Sequence, residues 1–577
     1  MVSRRNLIVA GAAGAAGIAG SVAWWRAQQS VPREAPPPPA FTPDAAFPNR
    51  LRVPGAEGLY GIHDVAGAFT LSAKSVTQEI VAGKPAALLA YEIESQGKRL
   101  FNPLIRMRSG GKISAKFWNG IEETSIIHWH GLAVDSNNDG HPHYAVAGGA
   151  TYDYNFAVPN RAATYWYHPH PHHLTGKQVY LGLAGLFIVE DDEELALQKA
   201  LDLKLGETDV PLVLQDRRIN AQGQLVFNPT DEDRADGFLG SQVLVNWTPR
   251  PYFEASTRIY RFRILNASNA RPYKLAFRSG EQLLEFQLIG NDGGLIEHAQ
   301  KIKEVFLAPA ERIDVLLDLR NARVGDAVTL AGVPFDPMEH EGGPEDKNKP
   351  AEAAKPEAQN TKPEAQNTKP EAKDAHALHG ADAKKEKSAA PTADAKGKSD
   401  IPEIGVAMEL MRIHVRRKEA YERAVPATLS TIAPIAVAGL KPRVIHLDHV
   451  KMVWRINGET FQTGKTPVTV KRGATEAWDI KNAEASMPHP FHIHGFQFQV
   501  IERIGSPQQQ KKLAVNAQGL AASDLGWKDT VLVWPGETAR IAINFTHPFN
   551  GDQVYMIHCH NLEHEDQGMM LNLKVQA

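Results

Sequence analysis

One cysteine, Cys559, stands among 577 residues. A lone thiol cannot close an internal disulfide, so no disulfide framework holds the chain together. A surplus of either charge is also missing: 66 acidic side chains against 63 basic ones leave a net charge of −3 with histidine neutral. Without a basic field there is nothing to grip a phosphate backbone, which excludes nucleic acid as a partner. Apolar residues make up 43% of the chain, an ordinary soluble value that excludes a multi-span membrane protein. Long stretches of helical periodicity are absent too. Only Glu193–Leu203 and Met408–Glu422 suggest short helices.

What is present begins at the N-terminus. Arg4 and Arg5 precede an Ala/Gly-rich apolar stretch from Leu7 to Trp25, a pattern resembling a twin-arginine export signal. Ser21-Val22-Ala23 offers small residues to a signal peptidase, and Pro36–Pro39 makes a stiff spacer. The folded part is expected in the periplasm, with no stable membrane partner unless this segment is retained as an anchor.

Period-two alternation then recurs. Tyr260, Phe262 and Ile264 share one strand face with Arg261 and Arg263 on the other; Ile313, Val315, Leu317 and Leu319 alternate likewise, as do Phe496, Phe498 and Val500, and Ile541, Ile543 and Phe545. Half-buried strands punctuated by Gly, Pro and Asn predict an all-β protein of sandwiches. Lys355–Thr361 repeats as Lys362–Thr368 and again, imperfectly, from Lys369 to Ala375. That stretch lacks the apolar side chains needed to offset ordering entropy, so a disordered insert is expected. The predicted organisation is an export signal and spacer over 1–45, sandwiches over 46–205 and 206–337, the insert over 338–400, and a connecting segment with a third sandwich over 401–577.

The 23 histidines are the abundant feature. Four His-x-His pairs stand out: His128/His130, His168/His170, His492/His494 and His558/His560. On a strand, residues i and i+2 face one way, so each pair presents two imidazoles together. Two pairs lie near each end and none lies in the middle, and His-x-His-Gly appears at His128–Gly131 and again at His492–Gly495. The first and third domains therefore read as duplicates sharing one eight-histidine cage, a donor set that suits a copper cluster. Cys559 sits between His558 and His560, so its sulfur points to the opposite strand face, where a second metal site must lie. His564 and Met569 follow Cys559 at five and ten residues and His489 precedes the third pair; two imidazoles, a thiolate and a thioether describe a blue-copper electron-transfer site. Asp139 and Glu565 stand just beyond ligand motifs, where a carboxylate can relay protons.

The strings Trp166–His173, His489–Gly495 and His558–His564 through Gly568-Met569, together with Gly182–Glu190 and Asn291–Leu295, resemble multicopper oxidases. The likeness is nearest to periplasmic copper efflux oxidases, with laccases and bilirubin oxidases close by. It implies three cupredoxin-like Greek-key sandwiches and four copper ions. By motif position His489, Cys559, His564 and axial Met569 would hold type 1 copper, and His128 and His492 type 2. His130, His168, His170, His494, His558 and His560 would hold the type 3 pair, with Asp139 and Glu565 as proton-relay acids. The implied reaction couples one-electron oxidation of Cu(I) or a phenol to reduction of O2 to water, in a monomer. Two departures bear on substrate: no methionine lies between Glu339 and Gly405, and Ala485 stands where efflux oxidases carry an aspartate, leaving Met338 and Met487. The competing readings are a non-catalytic copper buffer, a ligand-free cupredoxin scaffold and, less well, a copper nitrite reductase.

Overall fold

The computed structural model describes residues 43–95, 97–340, 400–450 and 453–577. The export signal, the proline spacer and the repeats of the insert lie outside the described residues.

Six sheets pair into three cupredoxin-like sandwiches. In the first, a sheet built around Phe69–Val81 and Lys84–Ser95 faces one ordered Ile62–Asp64, Leu104–Arg108, Gly185–Glu190, Ala163–Pro169, Ile127–His130. Leu71, Tyr91 and Phe117 from one sheet meet Ile105, Tyr167 and Phe187 from the other in a single core. The third sandwich repeats this plan. Its inner sheet is ordered Val468–Lys471, Met570–Gln576, Gln553–Cys559, His489–Ile493, Thr530–Val533, and Trp478 and Ile541 pack against Phe491 and Ile557 across the gap.

The alternating residues named from sequence lie on strands Ile259–Asn266, Arg312–Asp318, Phe498–Ile504 and Thr538–Asn544, or within two residues of them. Ile259–Asn266 is buried along its whole length rather than half-buried. Its outward residues Arg261 and Arg263 meet carboxylates: Glu194 lies 2.6 Å from each guanidinium, Asp209 grips Arg263 at 2.8 and 2.7 Å, and Asp314 also pairs with Arg261. Glu194 belongs to helix Asp192–Leu201, the first of the two expected helices. The strand's polar face is thus an ionic joint between the first and middle sandwiches.

The second expected helix does not form. Met408–Arg417 is a ten-residue strand paired with Ala327–Gly332 on one side and Pro251–Ser256 on the other. Leu410, Met411, Ile413 and Val415 all join the middle core. Sheet pairing overrides a local pattern that also fits a short helix.

Candidate metal centres

The four His-x-His pairs converge. In the first sandwich His128 pairs in register with His168, and in the third His492 pairs with His558. The two sheets meet through imidazoles: His128 stacks on His494 at 3.7 Å between centroids, and His130 on His492 at 3.8 Å. All eight side chains are buried.

Hydrogen bonds fix which nitrogen of each ring faces inward. Nδ1 of His128, His168 and His492 donates to the carbonyls of Asp139 (2.7 Å), Pro169 (2.9 Å) and Asp529 (2.8 Å). His494 Nδ1 donates to Asp139 Oδ2 at 2.8 Å. A neutral imidazole has one N–H, so each of these rings turns the Nε2 lone pair into the cage. Burial holds His130, His168, His492, His494 and His560 well below their usual pKa, with crowding by neighbouring imidazoles adding to it, and holds His170 at about 3. His494 Nε2 and His558 Nε2 lie 3.0 Å apart, while Nε2 of His128 and His492 and both nitrogens of His170 and His560 have no hydrogen-bond partner. Buried lone pairs facing one another are costly unless a cation sits between them. The donor set fits copper, for which neutral imidazole is a preferred ligand.

Asp139 and Glu565 both reach the cage wall. Asp139 meets His128 through its carbonyl and His494 through its carboxylate. Glu565 Oε1 lies 3.4 Å from His170 Nε2, and Oε2 lies 3.2 Å from His558 Nδ1. Glycine makes the first arrangement possible. Gly140 has φ +87°, and a Cβ there would stand 2.2 Å from the Ile127 carbonyl and 2.6 Å from His128 Cα, so only glycine lets this loop lie against the ligand strand.

Asp529 was not legible in the sequence. Its Oδ1 lies 3.1 Å from His130 Nε2, and Arg312 of the middle sandwich holds it with two parallel hydrogen bonds of 2.8 and 2.6 Å. Nothing around Asp529 forms a motif; long-range packing alone brings it there. The middle sandwich contributes no histidine to the cage, yet it fixes one of its outer partners.

Cys559 faces away from the cage, as alternation requires. His489 Nδ1 lies 3.3 Å and His564 Nδ1 3.6 Å from its sulfur. The opposite nitrogens are anchored, His489 Nε2 at 3.1 Å from Ser486 Oγ and His564 Nε2 donating to the Ala235 carbonyl at 2.9 Å. Both Nδ1 lone pairs therefore aim at the thiol. Burial keeps His489 well below its usual pKa and His564 at about 3. Burial also pushes the Cys559 thiol far up; a coordinating metal ion reverses this by deprotonating it outright. Met569 is fully buried in the core that contains Cys559, and its carbonyl accepts the Cys559 N–H at 3.1 Å. His489, Cys559 and His564 form one compact three-donor group.

Trp454, also missed from sequence, closes this second site. Its ring lies 4.7 Å from His489 and 5.0 Å from His564, and its Nε1–H donates to the Ala235 carbonyl at 2.6 Å. Beyond it opens a cavity of about 770 Å³ lined by Asp236, Met338, His449, Ser486 and Met487 among others.

Sequence signatures described as multicopper oxidase match residues 90–194 and 439–577. A laccase of Bacillus subtilis is 31% identical over 476 residues, covering 78% of this chain and 79% of the laccase. The crystal structure of the multicopper oxidase McoA from the hyperthermophile Aquifex aeolicus superposes with a TM-score of 0.74 at 38% identity, covering 92% of this chain and 99% of that one. A Campylobacter jejuni multicopper oxidase titled a metallo-oxidase gives a TM-score of 0.65 at 26% identity, covering 93% and 99%. The chain belongs to the multicopper oxidase family. It is an oxidoreductase of that class, with donor groups matching type 1, type 2 and type 3 copper centres and O2 as electron acceptor.

Proposed function

We propose that His489, Cys559, His564 and Met569 would hold the type 1 copper, His128 and His492 the type 2 copper, and His130, His168, His170, His494, His558 and His560 the type 3 pair. One observation carries this reading: Cys559 Sγ lies among two imidazole nitrogens of one site while its chain neighbours His558 and His560 belong to the other. Copper bound in the two sites supplies reversible one-electron chemistry at the first and a store of electrons for dioxygen at the second. The backbone from Cys559 to His558 and His560 is the covalent route joining them.

The chain's other contributions follow from placement. Full burial of the cage excludes bulk water from the reducing site. Reduction of O2 to two waters consumes four electrons and four protons. Asp139 Oδ2, beside His494, and the Glu565 carboxylate, beside His170 and His558, are the groups that pass those protons across the cage wall.

The electron donor is a small reductant in the cavity beyond Trp454, either Cu(I) or a phenol. Thioethers of Met338 and Met487 and the imidazole of His449 suit a soft cuprous ion, and the indole of Trp454 suits an aromatic ring. The protein is exported by the twin-arginine route to the periplasm and acts as a monomer; its first two sandwiches divide near residue 205, and the middle one takes in Met408–Arg417 from beyond the insert. The buffering and scaffold readings fit less well, because neither needs a cysteine bridging two donor groups. Oxygen uptake by the copper-loaded protein tests the reading, comparing Cu(I) with a phenol at matched concentration. Uptake with one or both supports it; none with either, from protein shown to carry copper in both sites, rejects it.

A further inference from the structure

The outer partners of the cage follow a near twofold pattern. Asp139, on the first sandwich, accepts the Nδ1–H of His128 at its carbonyl (2.7 Å) and the Nδ1–H of His494, on the third, at its carboxylate (2.8 Å). Asp529, on the third sandwich, repeats this from the other side. Its carbonyl accepts the Nδ1–H of His492 at 2.8 Å, and its carboxylate accepts the Nε2–H of His130, on the first, at 3.1 Å. Each aspartate thus holds one ring of its own sandwich by the backbone and one of the opposite sandwich by the side chain. In both cases the two rings held are stacked on each other.

The copies differ in two respects. Asp139 takes the Nδ1–H of the ring it reaches across to, whereas Asp529 takes the Nε2–H. His130 therefore turns its other nitrogen inward, with Nδ1 at 3.4 Å from His168 Nε2. Asp139 Oδ1 has no hydrogen-bond partner, while both oxygens of Asp529 are occupied. Its Oδ1 accepts from Arg312 Nη1 and the Thr530 hydroxyl (2.9 Å) as well as from His130, and its Oδ2 accepts from Arg312 Nη2. An acid with an open oxygen has room for a proton; one filled on both sides serves to hold its neighbour still.

We propose, resting on the ligand assignment above, that Asp529 is a positioning residue: the fixed counterpart of Asp139, which holds His130 with Nδ1 rather than Nε2 turned to the copper cage. A neutral imidazole carries one N–H. With Asp529 accepting at Nε2, the Nδ1 lone pair is the one left for the metal. Without that acceptor His130 can carry its proton on either nitrogen, and in the wrong form it points an N–H at the cation. Arg312 is what keeps the acceptor in place, so the middle sandwich, which supplies no histidine, decides how one ring of the cage binds.

The test separates the acceptor from the ion pair, using full-length R312M/D529N and R312M/D529L. Both remove the buried charge pair; the first keeps an amide oxygen facing His130 and the second does not. Losing the outer partner of a metal-ligating histidine weakens metal binding about tenfold to a hundredfold. That loss is expected for the cage of R312M/D529L, read by chelator competition followed by paramagnetic resonance, with the blue absorption band retained. R312M/D529N should lose less than about tenfold. In metal-free protein carrying isotope-labelled histidine, nitrogen resonance should place the His130 proton on Nε2 in wild type and R312M/D529N, and on both nitrogens in R312M/D529L. Wild-type copper affinity in R312M/D529L, or a proton still confined to Nε2 there, overturns the proposal. So does an equal loss of copper from both double variants, which would make the Arg312–Asp529 pair a packing joint only. Should wild type bind no copper in the cage, the ligand assignment fails, while the nitrogen resonances still decide the role of Asp529.

Discussion

Arg312 holds Asp529 in a two-pronged grip, with Nη1 at 2.8 Å and Nη2 at 2.6 Å from the two carboxylate oxygens, and both side chains are fully buried. The pair joins the middle sandwich to the third and holds the Asp529 carboxylate beside His130. Removing one partner leaves an uncompensated buried charge. R312M is expected to lose about 3–5 kcal/mol of stability, read by denaturant unfolding, and to lower copper retention in the cage. Adding D529N should restore part of the stability by removing the stranded charge. Wild-type unfolding of R312M would show that the pair contributes little.

Cys559 is the one donor whose loss should separate the two metal groups. C559S removes the thiolate of the type 1 site without altering the faces of His558 and His560. The variant should lack the blue absorption band and oxygen uptake with any reductant, while metal analysis and paramagnetic resonance still find copper in the cage. Loss of copper from both sites together would contradict their structural independence.

Gly140 provides a steric test of Asp139. An alanine there carries a strained positive φ, costing about 1–2 kcal/mol, and its Cβ collides with the strand that bears His128. The loop must then lift, taking Asp139 away from His494. G140A should therefore retain rapid anaerobic reduction of the type 1 site but show slowed reoxidation by O2. D139N should show the same pattern, with a loss of roughly a hundredfold or more, the range for removing a positioned proton donor. Equal slowing of both half-reactions would remove Asp139 from the oxygen-reducing step.

Glu194 predicts a pH dependence of stability. Burial alone would raise its pKa, but Arg261 and Arg263 outweigh this and hold it well below the usual carboxylate range. A depressed folded-state pKa contributes stability that is present above the unfolded value, about 4.3, and is lost as pH falls below it. Unfolding free energy should therefore decline with acidification below that value, with a shallower slope in E194Q. E194Q should also be less stable at neutral pH, because two buried guanidinium groups lose a shared partner. Parallel pH profiles for the two proteins would mean that other carboxylates carry the acid sensitivity.

The parts of this site legible in the sequence were those set by local geometry. Alternation along a strand places His558 and His560 on one side and Cys559 on the other wherever the strand lies, and the His-x-His pairs follow the same rule. Asp529, Arg312 and Trp454 obey no such rule. Asp529 reaches His130 and Arg312 reaches Asp529 only through packing of whole sandwiches, and Trp454 reaches His489 and His564 from a distant strand of the same sandwich. The strand Met408–Arg417 was misread for a related reason, since its pairing partners lie far away at Pro251–Ser256 and Ala327–Gly332. The arginines of Ile259–Asn266 looked like a solvent face because their counter-charges are distant in sequence: Glu194 comes from the first sandwich, and Asp209 and Asp314 from the neighbouring strands of the same sheet.

Met408–Arg417 lies on the far side of residues 341–399 from the two strands it joins. A ribosome that has delivered the chain as far as residue 400 has therefore not yet supplied an interior strand of the middle sheet, and that sheet can close only afterwards. A protease cutting between 341 and 399 would sever the chain without parting the halves, because the C-terminal piece begins with a strand already sewn into the N-terminal piece. The two fragments should migrate together until denatured, and the histidine cage between them should survive the cut.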